Sequence, residues 1–168
     1  MADDRCDRLQ DAAALWSIGE VTSADVVTCA CDALVEGIDT PSLRILAGLT
    51  RSEADIEVPD VLPAALEELG LDFYPRDSHA GREAAARALA VQAVLGRLTA
   101  RQLAARIHRH FGHQLPLVER LAFLDDEYDL RDYAGRTTEA IDQEVMSQAR
   151  QLAHGYRRGG NWPAPNAS

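Results

Sequence analysis

Lysine is missing from this chain of 168 residues, and all 17 of its basic residues are arginine. This usage, together with abundant alanine, is typical of GC-rich coding and gives no evidence of special arginine chemistry. Aromatic residues make up only 5% of the chain, which favours helices over a β-sandwich. Apolar runs of about 18 residues are also missing, so the sequence predicts no membrane-spanning helix.

Cysteine is scarce and occurs only at Cys6, Cys29 and Cys31. Cys29 and Cys31 are two positions apart, which places them on opposite sides of a helix. We therefore expect them to be buried as small hydrophobic residues rather than to bind a metal ion together. The acidic N-terminal stretch lacks the basic start and apolar run of a signal peptide. Together these features predict a cytoplasmic protein.

Negative charge is in excess, with a formal net charge of −10. This argues against a general nucleic-acid binder, because phosphate contacts need a basic surface. It favours attraction of a basic protein partner. The alternative is that the acidic residues only solvate exposed helix faces.

Apolar residues recur at helical spacing along most of the chain. They predict an all-α fold, a single domain over residues 1–156 with about six to eight short helices, followed by a flexible tail over residues 157–168. Two segments are expected to lack helical structure, residues 51–59 and the loop at residues 72–81. We expect a new helix at Asp60 and a short one over residues 115–124.

The phrases "GEVTSADV" and "GRLTARQL" share the pattern Gly, any residue, aliphatic, Thr. Each predicts a tight corner in which glycine ends one helix and threonine caps the next. The capping residues are Thr22 with Asp25 and Thr99 with Gln102. The two corners indicate either a weak repeat of helical hairpins, around residues 12–47 and 89–124, or independent use of the same corner.

Three histidines lie close together at His108, His110 and His113. On a continuous helix His110 and His113 share a face, whereas His108 points away. These two are therefore the candidate metal ligands on a continuous helix, with nearby acidic residues completing the site. The alternative is that Gly112 breaks the helix between them. The pattern is neither HExxH nor a pair of CxxC motifs. The alternative is that the histidines are ordinary surface residues, and we expect no cofactor.

The stretch "LDDEYDLRDY" is dense in acidic residues and tyrosines. Acidic side chains steer a basic partner and tyrosines anchor it, so we predict a partner-binding surface formed by Asp125, Asp126, Glu127, Tyr128, Asp129, Asp132 and Tyr133. The alternative is that both tyrosines pack inward and the acidic residues only solvate a helix end.

Motifs of catalysis are missing: the chain has no GxSxG and no glycine-rich phosphate loop. The arginine-rich segment 97–113 superficially resembles a helix-turn-helix, but Ala104 and Gly112 are too far apart for that motif. The wider basic stretch over residues 76–113, which contains this segment, is expected either to pair with acidic segments of the same chain or to bind an anionic ligand.

The phrase "ALVEGIDTPSLRILAGLTRSEAD", followed by "LPAALEELGLDF", resembles small helical proteins of high-GC Gram-positive bacteria, over roughly residues 30–75. This resemblance implies a helical fold and a cytoplasmic setting, and it implies no activity or site residues. In size and acidity the chain is also similar to immunity proteins that neutralise toxins.

The sequence as a whole predicts a non-catalytic cytoplasmic protein that binds another protein, such as an immunity or antitoxin-like inhibitor of a basic toxin. One alternative is a small metal-binding protein or enzyme that uses His108, His110 and His113. Another is a regulator that contacts DNA through residues 97–113. Neither a membrane nor nucleic acid is an expected partner, and the oligomeric state stays open.

Overall fold

The computed structural model describes residues 2–154, apart from the side chains of residues 2–5, 131, 132 and 134. Over this range the chain is all-helical, which confirms the predicted fold class. The helices are α1 (Ala2–Ser17), α2 (Ser23–Val35), α3 (Pro41–Ala47), α4 (Arg51–Glu68), α5 (His79–Val94), α6 (Ala100–Phe111), a 3-10 turn (Pro116–Val118), α7 (Glu119–Ala134) and α8 (Thr138–His154). The predicted tail at residues 157–168 lies outside the described residues.

Contacts between the helices divide the chain into two compact units, one ending at Gly81 and the other beginning at Arg82. In the first unit α1 packs on α2, α2 on α3 and α3 on α4. In the second unit α6 packs on α7, and α8 packs on both. Helices that follow one another along the chain therefore supply most of the packing within each unit.

The core of the first unit is built from residues at helical spacing on α1 to α4. Trp16 is its largest member, and its indole N–H donates to Ser23 Oγ at 3.2 Å, so the buried polar atom is paired. The other members are Leu9, Ala13, Val26, Ala30, Ala33, Leu43, Leu46, Ala54, Val58, Leu62, Ala65 and Leu66.

The two predicted corners are confirmed, and their geometry explains the repeated phrase. Gly19 and Gly96 adopt positive φ angles of 75° and 74°, which glycine tolerates best. In each corner a backbone N–H donates back to the carbonyl five residues earlier, at 3.0 Å from Glu20 to Leu15 and 2.8 Å from Arg97 to Gln92. Both helix ends are thus Schellman motifs.

Threonine then begins the following helix in each corner. The hydroxyl of Thr22 accepts the N–H of Asp25 at 3.2 Å, and the hydroxyl of Thr99 accepts the N–H of Gln102 at 3.2 Å. In return the Asp25 and Gln102 side chains accept the backbone N–H of their threonines. Both are complete capping boxes, as the sequence predicts.

Helix α4 corrects the expectation of an irregular segment at residues 51–59 and a start at Asp60. It begins at Arg51, where the backbone N–H of Thr50 donates to Glu53 at 2.9 Å. Pro59 and Pro63 lie inside the helix, and each removes one backbone donor. The helix continues past Pro59 because that ring lies on the exposed side, while residues 54, 58, 62, 65 and 66 are buried.

The predicted loop at residues 72–81 is present as far as Ser78, and hydrogen bonds join it to α1. The Gln10 amide donates to the Asp72 carbonyl and accepts the Asp72 N–H, both at 2.8 Å. The expected break at Gly81 does not occur, because α5 begins at His79. A Cβ at Gly81 would lie 2.8 Å from Ser17 Oγ, so glycine is needed there for close packing.

The cysteines only partly follow the expectation of burial. Cys29 is half-buried, and burial raises the pKa of its thiol. Cys31 is exposed, so the expectation is wrong for this residue. Its thiol donates to the carbonyl of Ala47, the last residue of α3, at 3.3 Å.

The second unit has a core formed by α6, α7 and α8. Its buried residues on these helices are Ala100, Leu103, Ala104, Ile107, Phe111, Leu121, Ala122, Leu124, Tyr128, Ile141, Val145, Ala149 and Leu152. Helix α5 also carries buried residues of this unit, from Ala84 to Ala93. Helix α7 extends to Ala134, ten residues beyond the predicted end of the short helix at Leu124. Within the described range, no helix has both the length and the apolar character required to span a bilayer.

Candidate functional site

The end of α6 brings two histidines together. Helix α6 stops at Phe111 because Gly112 takes a φ of 55° and a ψ of −141° that no helix continues. The chain turns back, and the rings of His108 and His113 lie with their centroids 5.1 Å apart. The pair predicted on the assumption of a continuous helix, His110 and His113, is therefore corrected to His108 and His113.

Helix α7 places two carboxylates against these rings. His108 Nδ1 lies 2.9 Å from Asp125 Oδ2 and 3.6 Å from Asp126 Oδ1. His113 Nε2 lies 3.3 Å from Asp126 Oδ2. One potential ligand atom from each of His108, His113 and Asp126 lies within 4.8 Å of the other two. All four side chains keep between 24% and 44% of their surface exposed, so solvent reaches the cluster.

One acidic residue of α7 and one of α8 form ion pairs with two arginines. Glu127 and Glu144 are bridged by Arg120 and Arg136, which we call the α7–α8 ion-pair network. Arg120 donates to Glu144 at 2.7 Å and to Glu127 at 3.0 Å, and Arg136 donates to Glu144 at 2.9 Å and also to Glu127. Burial raises the pKa of Glu144, but the hydrogen bonds from both arginines outweigh this and leave it below its ordinary value.

The two predicted tyrosine anchors lie in different environments. Tyr128 is only 1% exposed, its hydroxyl donates to the Asp142 carboxylate on α8, and Arg101 lies over its ring at 5.0 Å. Burial, followed by the hydrogen bond and charge of Asp142, raises the pKa of Tyr128 above its ordinary value. Tyr133 is 92% exposed. Only Tyr133 is therefore placed to contact a partner, and the expected surface is corrected at Tyr128.

An exposed apolar stripe follows one side of α7 and was missed by the sequence reasoning. It consists of Phe123, Leu130 and Tyr133, which are 45%, 56% and 92% exposed, and we call it the α7 stripe. At 100° per residue these side chains fall within about 80° of one another around the helix axis. The signal was their spacing of seven and three residues, which the density of acidic residues concealed.

The remaining predicted surface residues border this stripe or lie elsewhere. Around the helix axis Asp126 lies between Leu130 and Tyr133, and Asp129 lies beyond Tyr133. Asp129 is 78% exposed although it lies 3.2 Å from Arg101. Asp125 faces His108, and Glu127 belongs to the α7–α8 ion-pair network. The side chain of Asp132 lies outside the described residues.

The arginine-rich segment 97–113 pairs in part with α7. Arg101 contacts Asp129 and His108 contacts Asp125, while the apolar side of α6 is buried in the core. These contacts support internal pairing of the segment, which was one of the two expectations for it.

Comparison of the chain with models of protein families, with curated proteins and with solved structures finds no significant match. The case for a function therefore depends on the chemistry of the α6–α7 surface.

Proposed function

We propose that this protein binds another protein and that the α7 stripe, with Asp126 and Asp129 beside it, is the docking surface. The observation that carries the proposal is the exposure of three large apolar side chains in line on one helix. Large apolar residues that lie together on a surface are typical of interaction sites, whereas isolated ones are not. Aromatic residues such as Phe123 and Tyr133 are common binding anchors.

Charge determines the kind of partner. Asp126 lies within the span of the stripe and Asp129 lies beside it, with 44% and 78% of their side chains exposed, and the chain carries a net charge of −10. A basic protein with an apolar patch matches both properties, because its charge is attracted over a distance and its apolar side chains cover the stripe. A narrower proposal is an immunity or antitoxin-like inhibitor of a basic toxin, which the acidic charge also supports.

The test uses one variant of the stripe and one matched control. Leu130→Asp places a charge in the middle of the stripe at an exposed position, so the fold is expected to persist. Ile56→Asp makes the same change at a side chain that is 71% exposed on α4. Affinity capture from host cells is followed by measurement of Kd with the purified partner. We expect a basic partner that binds the wild type and Ile56→Asp alike and binds Leu130→Asp at least tenfold more weakly.

The kinetics test the role of charge separately. In Asp129→Asn the association rate should fall and lose part of its salt dependence, while the dissociation rate changes little. A partner that binds Leu130→Asp as tightly as the wild type would place the docking surface elsewhere. An acidic partner would contradict the role assigned to charge.

A further inference from the structure

We propose that His108, His113 and Asp126 bind a divalent transition-metal ion, of which Zn²⁺ is the best match. His108 on α6, His113 in the turn after α6 and Asp126 on α7 converge here, with one ligand atom of each within 4.8 Å of the others. His108 and His113 are five residues apart, and the turn at Gly112 is what brings His113 back to His108.

The separations are close to those of an assembled zinc site. With Zn–N and Zn–O bonds of about 2.0–2.2 Å, two ligand atoms of a tetrahedral site lie about 3.3–3.5 Å apart. His113 Nε2 and Asp126 Oδ2 already lie 3.3 Å apart. The ligand atoms of all three side chains lie within 4.8 Å of one another, and these side chains are partly exposed, so rotation about their χ angles is the adjustment that the proposal requires.

The ligand set determines which ion fits. Two imidazoles and one carboxylate suit Zn²⁺ and other borderline divalent ions. Ca²⁺ and Mg²⁺ favour sites built of oxygen ligands, and Cu⁺ favours sulfur. Three protein ligands also leave a coordination position for water, and the partial exposure of His108, His113 and Asp126 gives water access to it.

Asp125 supports the site without being one of its three ligands. Its carboxylate lies 2.9 Å from His108 Nδ1. A carboxylate bonded to the ring of a metal-binding histidine fixes the orientation and the tautomer of that ring. With Nδ1 held by Asp125, the ring nitrogen of His108 that binds the ion in this proposal is Nε2, and Asp125 is a positioning residue for His108.

Titration of the full-length chain with Zn²⁺, after treatment with EDTA, tests the proposal by calorimetry. We expect one ion per chain. His108→Gln, His113→Gln and Asp126→Asn should each weaken binding at least tenfold, and Asp125→Asn should weaken it about tenfold to a hundredfold. His110→Gln is the matched control and should bind as the wild type does, because His110 lies on the same helix outside the group.

Cobalt gives a readout that needs no substitution. Co²⁺ bound to the wild type should show the intense visible absorption of a four- or five-coordinate site, and Zn²⁺ should displace it. The proposal fails if the spectrum is that of the aqueous ion. It also fails if His108→Gln/His113→Gln binds Zn²⁺ as tightly as the wild type, or if His110→Gln loses as much affinity as His113→Gln. Circular dichroism of each variant checks its folding, and the measurement requires no protein partner.

Discussion

Replacing Tyr128 with phenylalanine tests whether the middle of α7 faces the core. The change removes only the hydroxyl, which donates to Asp142. A hydrogen bond to a charged group contributes about 1.5–3 kcal/mol. Because Asp142 is only half-buried, water can replace part of that bond. We therefore expect the free energy of unfolding to fall by about 1–2 kcal/mol, and the melting temperature by about 2–8 °C.

Two further variants complete the comparison. Tyr128→Ala also removes the buried ring and should cost about 3–5 kcal/mol, as is usual for large-to-small changes at a buried aromatic residue. Tyr133→Phe makes the same chemical change as Tyr128→Phe at a side chain that is 92% exposed. It should leave the free energy of unfolding unchanged within about 0.5 kcal/mol.

The pH dependence gives an independent check on Tyr128. Its pKa is raised in the folded protein, so above about pH 10 the unfolded chain loses this proton while the folded chain keeps it. The contribution of Tyr128 is thus complete below pH 10 and is lost as the pH rises. In urea unfolding curves, the difference between the wild type and Tyr128→Phe should shrink above pH 10. The assignment to the core is refuted if Tyr128→Phe is neutral while Tyr133→Phe is destabilising.

Two other predictions concern helix ends and charge. Thr22→Ala and Thr99→Ala should each lower the free energy of unfolding by about 0.5–2 kcal/mol, measured by thermal unfolding. The control is Thr28→Ala, at an exposed position within α2, which should be neutral or slightly stabilising. Equal effects at all three positions would contradict the capping role. Because the pKa of Glu144 is lowered below its ordinary value of 4.5, its stabilising contribution is present above that pH and is lost as the pH falls through the folded value. Glu144→Gln should therefore make unfolding less sensitive to pH below 4.5, and an unchanged acid profile would count against the α7–α8 ion-pair network.

Local patterns made most of the helices predictable. The corner phrase contains both the glycine that ends a helix and the threonine that starts the next, so Thr22 and Thr99 were recognised without knowledge of the fold. The start of α4 carries the same signal, because Thr50 and Glu53 form the capping pattern. Residues 51–59 were nevertheless expected to be irregular because their pattern is polar, and the sequence does not show that Pro59 lies on an exposed side where a lost backbone bond is tolerated.

Which residues form the candidate sites depends on where each helix ends and how the helices pack, and the local sequence pattern does not show this. His110 and His113 share a face only on a continuous helix, and the sequence left open whether Gly112 ends it. In the structure Gly112 does end the helix, and His108 lies beside His113 instead. Whether Tyr128 or Tyr133 faces solvent depends on how α7 packs against α6 and α8. Composition alone gives both residues the same role, so only the packing separates the buried tyrosine from the exposed one.

The packing of consecutive helices within each unit has a consequence for the speed of folding. In some proteins most contacts join segments that are neighbours in sequence. Such chains need to form only short loops, and they fold in microseconds to milliseconds. Since synthesis proceeds from the N-terminus, α1 to α4 are complete before the residues of α6 are made. We expect the first unit to form while the chain is still being translated, which keeps its apolar helix faces covered before the second unit exists.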